Sequence, residues 1–306
     1  MSTSIVLQQM GVITILVCIG IFLYKRGVVD DHTSQRMSTI VMDVCNPALI
    51  LASLLSGNVT ATHHDLIVAI VLGASFYIGL VILGFIFPKL IRGGEDSRFY
   101  NMMTVYTNVG FIGIPVARAI LPENAILYVI ICNVMYSLLF YTHGIIVMSN
   151  GKEKLSLKKI LSPGTIMALL ALVVFWFDLK PPLIISSSIS YIGNATVFLS
   201  MALLGVSIAR SDITKGLKNI RIWAYILIRM ILVPVALFFI LRAAHCANIT
   251  ILSICLMAEM PIGNLPLIQS EKMGEDTELL SSAITVSTIA SMATITVLMS
   301  IFTTML

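Results

Sequence analysis

Ten apolar stretches of about 20 residues follow one another along this 306-residue chain, and they constrain its fold more than any other feature. A helix that crosses the hydrocarbon core of a bilayer needs about 20 mostly apolar residues. Only 11% of the residues are charged, whereas a soluble globular domain has about 25%. Because so little charge cannot cover a soluble surface, the sequence predicts an all-α polytopic membrane protein. The ten predicted transmembrane helices (spans 1 to 10) are 5–24, 35–56, 65–87, 100–120, 124–148, 160–178, 184–209, 220–241, 250–270 and 278–305.

The basic residues predict the orientation. Of the 19 Lys and Arg, 15 follow odd-numbered spans, three lie on the opposite side and Arg229 lies inside span 8. Because Lys and Arg are enriched in cytoplasmic loops, both termini are expected outside. The first nine residues contain no Lys or Arg, so the first apolar run is expected to be a retained span and not a signal peptide. The predicted location is the inner or plasma membrane.

Several functional classes lack a signature. No Cys-x-x-Cys pair accompanies the five cysteines, so neither a disulfide framework nor a metal site is predicted. The net charge of +4 comes from short connections between spans and does not indicate a nucleic-acid partner. HExxH, GxGD and DDxxD are absent, so no catalytic residue and no cofactor is predicted. His63-His64-Asp65 lies between spans 2 and 3, and we interpret it as a solvated loop in preference to a metal site.

Two pairs of segments indicate an internal repeat. Asn46–Gly57 aligns with Asn194–Gly205 at an offset of 148 residues, and Val109–Pro115 aligns with Met260–Pro266 at an offset of 151. The sequence therefore predicts two repeats, 1–149 and 150–306. With five spans in each, the second repeat must be inverted in the membrane relative to the first.

Spans 4 and 9 are predicted to be interrupted helices. A proline removes one backbone donor and clashes with the carbonyl four residues earlier, and glycine weakens a helix further. Interrupted helices in corresponding places indicate the binding site of a secondary transporter, where free helix N-termini attract anions and exposed carbonyls hold cations. The alternative is that the prolines only kink two helices. The predicted site residues here are Asn108, Gly110, Gly113, Pro115, Pro261, Gly263, Asn264 and Pro266.

These segments resemble the auxin efflux carrier family, which includes the plant PIN proteins and many bacterial relatives. The resemblance rests on Asn108-Val-Gly-Phe-Ile-Gly-Ile-Pro115, on Met260-Pro-Ile-Gly-Asn-Leu-Pro266 with Glu271-Lys-Met-Gly274, on Ala202-Leu-Leu-Gly205 and on Asn46-Pro47. The motifs occur in the family's order along essentially the whole chain.

The resemblance implies a fold similar to that of sodium/bile-acid symporters, with spans 4 and 9 crossing. It implies a scaffold domain (about 5–56 and 160–209), a transport domain (about 65–148 and 220–305) and a homodimer. It also implies an elevator-type movement and an organic acid near the crossing. Plant members often have a long loop between spans 5 and 6. The connection of about ten residues here favours a bacterial-type member, for which the resemblance implies a malate- or malonate-like carboxylate, with auxin left open.

Polar side chains inside spans are costly, and they are functional candidates by default. Glu259 precedes the first proline of span 9, and Asp43 lies four residues before Pro47. Both are predicted to couple transport to Na⁺ or H⁺, although Glu259 could be a structural carboxylate and Asp43 could lie near the cytoplasmic mouth. The candidate substrate contacts Asn46, Asn133 and Asn194 could instead join helices.

Three further polar residues have two interpretations each. Arg118 could attract a carboxylate or extend its side chain to the outer interface. Arg229 could pair with a carboxylate inside the bundle, or could likewise extend to a helix end. His143 could titrate or only pack.

The sequence thus predicts a secondary active transporter of a small organic acid that works by alternating access in the lipid bilayer. A carrier coupled to Na⁺ or H⁺ for another organic anion, a channel and a membrane sensor without transport remain alternatives.

Overall fold

The computed structural model describes residues 3–55, 62–151, 161, 163–210 and 213–306. Most of them are helical, and we number the principal helices α1 to α12. The basic connection 152–160 and the end of the first repeat motif, Gly57, lie outside the described residues. The helices are α1 (Thr3–Lys25), α2 (31–55), α3 (His63–Leu90), α4 (Ser97–Val105), α5 (Val109–Ile120), α6 (Ala125–Met148), α7 (Pro163–Trp176), α8 (Leu183–Arg210), α9 (Ile220–Ala243), α10 (Asn248–Glu259), α11 (Asn264–Lys272) and α12 (Glu278–Met305).

Six helices of the described chain are long and apolar enough to cross a membrane: α1, α3, α6, α8, α9 and α12. Three shorter apolar helices, α5, α7 and α10, accompany them. The prediction of an all-α protein with several membrane-crossing helices is therefore confirmed. Ten membrane crossings and an inverted repeat stay predictions, because no other single helix of the described chain is both long enough and apolar enough to cross a membrane.

Three prolines widen helices instead of breaking them. The residues directly before Pro47, Pro115 and Pro234 each donate their amide to the carbonyl five residues earlier, so each proline follows a π-helical turn. A proline lacks the amide for a normal helical bond and crowds the preceding turn, and the wider turn accommodates both defects. These π turns are Val41–Cys45, Val109–Gly113 and Ile226–Leu232, and a fourth, Phe140–Gly144, has no proline after it.

The interruption of span 4 lies earlier than its proline predicted. Helix α4 ends at Val105 and α5 begins at Val109, so the break is at residues 106–108 and Pro115 lies within a continuous helical segment. Asn108 explains the position, because its side-chain oxygen accepts from the Phe111 amide at 3.2 Å and caps α5.

In span 9 the break at residues 260–263 includes Pro261, as predicted. Pro266 does not interrupt it, because it lies in the first turn of α11, where an amide has no helical partner to lose.

The helices pack against one another throughout the described chain, and α1 also contacts α12. Helix α1 packs against α8, and α2 packs against both α7 and α8. Helix α3 packs against α4 and α6, and α10 packs against α6, α9 and α12. Small residues bring α1 and α8 close together: a Cβ added at Gly205 would lie 2.1 Å from the carbonyl oxygen of Val17.

Candidate functional site

The two interrupted segments meet. The Asn108 amide donates to the Pro261 carbonyl at 2.7 Å, and the Gly263 amide donates to the Tyr106 carbonyl at 2.9 Å. Thr107 and Ile262 face each other between these bonds in an antiparallel bridge. The bonds satisfy backbone groups that the breaks expose, which a bilayer interior would otherwise leave without partners.

Two further features hold this bridge in place. The Ile262 amide donates to Ser287 Oγ at 3.3 Å, which ties the second break to α12. A Cβ added at Gly263 would lie only 3.0 Å from the carbonyl oxygens of Tyr106 and Thr107. Glycine therefore permits the close approach of the two backbones, and Pro261 and Gly263 act in the bridge.

A cavity of about 260 Å³ lies beside the bridge. Helix α2, the first break with the start of α5, α6, the start of α7 and α11 all line it. It brings together six of the predicted site residues: Asp43, Asn46, Asn108, Gly110, Asn133 and Asn264.

Gly110 is the point where three of these residues converge. A Cβ added there would lie 3.2 Å from Asn46 Nδ2 and 3.5 Å from Asn133 Oδ1. Because α5 and α11 both begin at the cavity, their first amides, which lack helical partners, lie close to it. Helix N-termini of this kind bind anions.

The remaining predicted residues lie elsewhere. Gly113 packs against Met257, with 3.4 Å between an added Cβ and its sulfur. Asn194 lies on α8, where its side-chain oxygen accepts from Arg118 Nη1 at 3.4 Å. Neither these two nor Pro115 and Pro266 are among the described residues that line the cavity. Their assignment to the substrate stays a prediction.

Glu259 is 0% exposed at the end of α10. Neither of its carboxyl oxygens has a hydrogen-bond partner among the described residues, and Glu259 does not line the cavity. A buried carboxyl group without a partner is costly. A bound proton or cation would reduce this cost, which supports the predicted coupling role of Glu259. Asp43 differs from Glu259 because it lines the cavity.

Arg229 differs from both of its sequence interpretations. It is 0% exposed, so it does not extend to a helix end, and no carboxylate among the described residues lies within ion-pair distance. Its guanidinium instead donates to the carbonyls of Thr104 and Ala258. Sequence reasoning missed these partners because backbone carbonyls leave no mark in a sequence.

Two histidines contact aromatic side chains. His143 Nδ1 lies 2.8 Å from the hydroxyl of Tyr106, and the His63 ring stacks on Trp176 with 4.4 Å between centroids. His63 belongs to the first turn of α3 and not to a loop, so that expectation was wrong. Among the described residues no group of three metal-ligating side chains occurs.

Sequence reasoning also missed part of the lining. Thr107, Ser38 and three residues of α6 with hydroxyl-bearing side chains also line the cavity, and the spacing of the α6 residues could have indicated a shared helix face. The α6 residues are Tyr136, Ser137 and Tyr141.

Membrane-length helices around a cavity with both apolar and polar lining residues, together with two interrupted segments that meet, define the class: a multi-pass membrane transport protein. A family model described as "Membrane transport protein" matches residues 5–157 and 147–299, which is nearly the whole chain. The chain belongs to this family, the auxin efflux carrier family that its motifs predicted. Because the family consists of transporters, the prediction that the chain is not an enzyme is confirmed.

Two relatives are similar along almost their full length, and both are named uncharacterized transporters. One, from Methanocaldococcus jannaschii, is 26% identical over 299 residues, covering 93% of this chain and 94% of the relative. The other, from Methanothermobacter thermautotrophicus, is 23% identical over 297 residues, covering 92% and 94%.

Proposed function

We propose that the chain is a secondary active carrier of a small organic anion, with a malate- or malonate-like carboxylate or an auxin-like acid as its substrate. One observation carries the proposal: two helices, α5 and α11, begin at the same cavity. Their N-terminal partial charges would attract a carboxylate, and the amides of Asn46, Asn108, Asn133 and Asn264 would orient it. The described lining contains no Lys or Arg, so the anion would be held by dipoles and released without breaking an ion pair.

The coupling ion belongs to the same proposal. Asp43 on the cavity wall would repel a bound carboxylate unless a proton or Na⁺ neutralises it. Glu259 is a second proposed coupling residue, because its buried carboxyl group has no hydrogen-bond partner among the described residues.

The arrangement of the helices supports alternating access. The cavity lies between α2 and α7 on one side and the breaks, α6 and α11 on the other. The first side belongs to the proposed scaffold domain and the second to the proposed transport domain. We infer that the transport domain moves past the scaffold like an elevator, with ten spans in two inverted repeats and a homodimer as its setting.

The cavity lies toward one end of the helix bundle. Ser38 near the start of α2, Tyr141 near the end of α6 and Pro163 at the start of α7 line it, and these helix ends adjoin the basic connections. In the predicted orientation the cavity therefore faces the cytoplasm. The contact between Arg118 and Asn194 lies toward the opposite side.

Counterflow of labelled malonate, malate and indole-3-acetate in proteoliposomes tests the proposal. We expect one of these acids to exchange, and we expect Asn108→Ala and Asn264→Ala to slow its exchange about tenfold or more, because a hydrogen bond to a charged group contributes about 1.5–3 kcal/mol. Asn248→Ala, at an exposed position at the start of α10, is the matched control.

The alternatives give different results. A channel shows flux without counterflow, and a sensor shows binding without flux. If Asn108→Ala and Asn264→Ala both exchange the anion at the full rate, the assignment of the substrate site to this cavity is wrong.

A further inference from the structure

Arg229 connects the two interrupted helices and is not among the described residues that line the cavity. It lies in the π turn of α9 and is among the largest fully buried side chains of the described chain. Its Nε donates to the carbonyl of Thr104 at 2.9 Å, and its Nη1 donates to the carbonyl of Ala258. These carbonyls lie in the last turns of α4 and α10, directly before the two breaks.

The ends of α4 and α10 create a negative region. The last carbonyls of a helix have no helical partner, and the helix dipole places about half a negative charge at its C-terminus. Two such ends held by one side chain amount to about one negative charge in a medium where charges are weakly screened. One guanidinium is the charge that balances them.

Side chains of α9 donate hydrogen bonds to more than one carbonyl at the end of α4. The hydroxyl of Tyr225, one turn before Arg229, donates to the carbonyl of Met103 at 3.0 Å. Successive carbonyls of α4 are therefore bonded by one helix, and Arg229 adds the carbonyl from α10. Because the π turn before Pro234 shifts side-chain directions locally, it contributes to aiming Arg229 between the two ends.

We infer that Arg229 is the resident cation of the interrupted helices. It fills the position between two helix C-termini where exposed carbonyls would otherwise need a dissolved cation. The positive N-termini of α5, which Asn108 partly caps, and of α11 then act on the anion. The inference deepens the proposed function and rests on it in one respect. If the substrate is an organic anion, its binding requires no Na⁺ between Thr104 and Ala258, because Arg229 already supplies the positive charge there. Any coupling ion binds elsewhere, at Asp43 or Glu259.

Chemical rescue tests the role of Arg229. The variant Arg229→Ala is purified in detergent, and its Tm is measured with guanidinium chloride far below the denaturing range, against sodium chloride at equal ionic strength. We expect Arg229→Ala to lower Tm by roughly 10 °C, because removing one partner of a buried charged interaction costs several kcal/mol. Guanidinium then raises the Tm of this variant and partly restores exchange. It does neither for the unmodified protein.

Arg242→Ala is the matched control. Arg242 lies on the same helix at an exposed position, 5.9 Å above the ring of Phe238, so guanidinium is expected to leave its Tm unchanged or lower it. If guanidinium fails to raise the Tm of Arg229→Ala, or raises that of Arg242→Ala equally, the inference is wrong.

Two conservative variants decide the matter even if Arg229→Ala does not fold. Arg229→Lys keeps the charge, and Arg229→Gln keeps a polar side chain without it. We expect the lysine variant to retain more thermal stability and more exchange than the glutamine variant, and the reverse order or equality would overturn a cationic role. The Tm results do not depend on transport, so failure to exchange any acid would count against the proposed function alone.

Discussion

At the scale of single residues, Gly110 shows how little space separates the side chains of the cavity wall. It lies in the first turn of α5, where Asn46 and Asn133 approach from α2 and α6. A methyl group there would crowd the Asn46 amide and would touch the Asn133 amide, and these are two of the groups that we propose to orient the substrate. The three residues come from three helices, so the cavity depends on their joint placement.

Gly110→Ala is therefore expected to raise the KM for the exchanged anion about fivefold or more, because the added methyl group displaces the Asn46 amide from the substrate; a fivefold change corresponds to about 1 kcal/mol of binding free energy. Counterflow at varied substrate concentration measures the change. Gly79→Ala is the control, because an added Cβ there meets nothing within 4 Å. An unchanged KM in Gly110→Ala would place the substrate away from this wall.

At the scale of secondary-structure elements, the contact between α1 and α8 depends on glycines at the interface. An added Cβ at Gly205 would lie 2.1 Å from the Val17 carbonyl oxygen, and one at Gly20 would lie 2.1 Å from the Ala202 carbonyl oxygen. Backbone atoms cannot move aside as a flexible side chain can. These two helices therefore pack as closely as they do only because both positions lack a side chain.

Gly205→Ala is expected to separate α1 from α8 and to lower Tm by about 5 °C or more, because overpacking a well-packed contact is destabilising. Thermal unfolding in detergent measures it. Gly11→Ala, on an open face of α1, should leave Tm unchanged. A Tm equal to that of the unmodified protein in Gly205→Ala would contradict the close packing.

At the scale of the whole molecule, the proposed scaffold and transport domains touch through contacts that an elevator movement would have to break. Arg118 on α5 and Asn194 on α8 form one such contact between the proposed transport and scaffold domains. By contrast, Arg98 and Glu275 form a bidentate ion pair within the proposed transport domain, with nitrogen-to-oxygen distances of 2.9 and 2.5 Å. The first pair should separate during transport and the second should not.

Cysteine cross-linking distinguishes these two pairs once the five native cysteines have been replaced. Joining Arg118→Cys to Asn194→Cys with a short reducible reagent is expected to stop exchange, and reductant should restore it. The same reagent on Arg98→Cys with Glu275→Cys should leave exchange intact. Undiminished exchange by the cross-linked first pair would rule out relative movement there.

The sequence by itself determined the membrane environment and the helical class, and it predicted six of the residues that line the cavity. These follow from local properties: apolar stretches long enough for a bilayer, and Asn108, Pro261 and Asn264 at positions where a helix is weak. The family followed from the same motifs, because their order is preserved along the chain.

Only the tertiary structure decided where the helices are interrupted and which side chains form hydrogen bonds to the backbone beside the interruptions. Pro115 was expected to interrupt a helix, but a π turn absorbs it and the break lies at residues 106–108, where bonds to Pro261 and Gly263 satisfy the exposed backbone. Arg229 is far in sequence from Thr104 and is joined to it only by folding. Hydrogen bonds between distant segments fix these features, and their free energy depends on partners that no local pattern specifies.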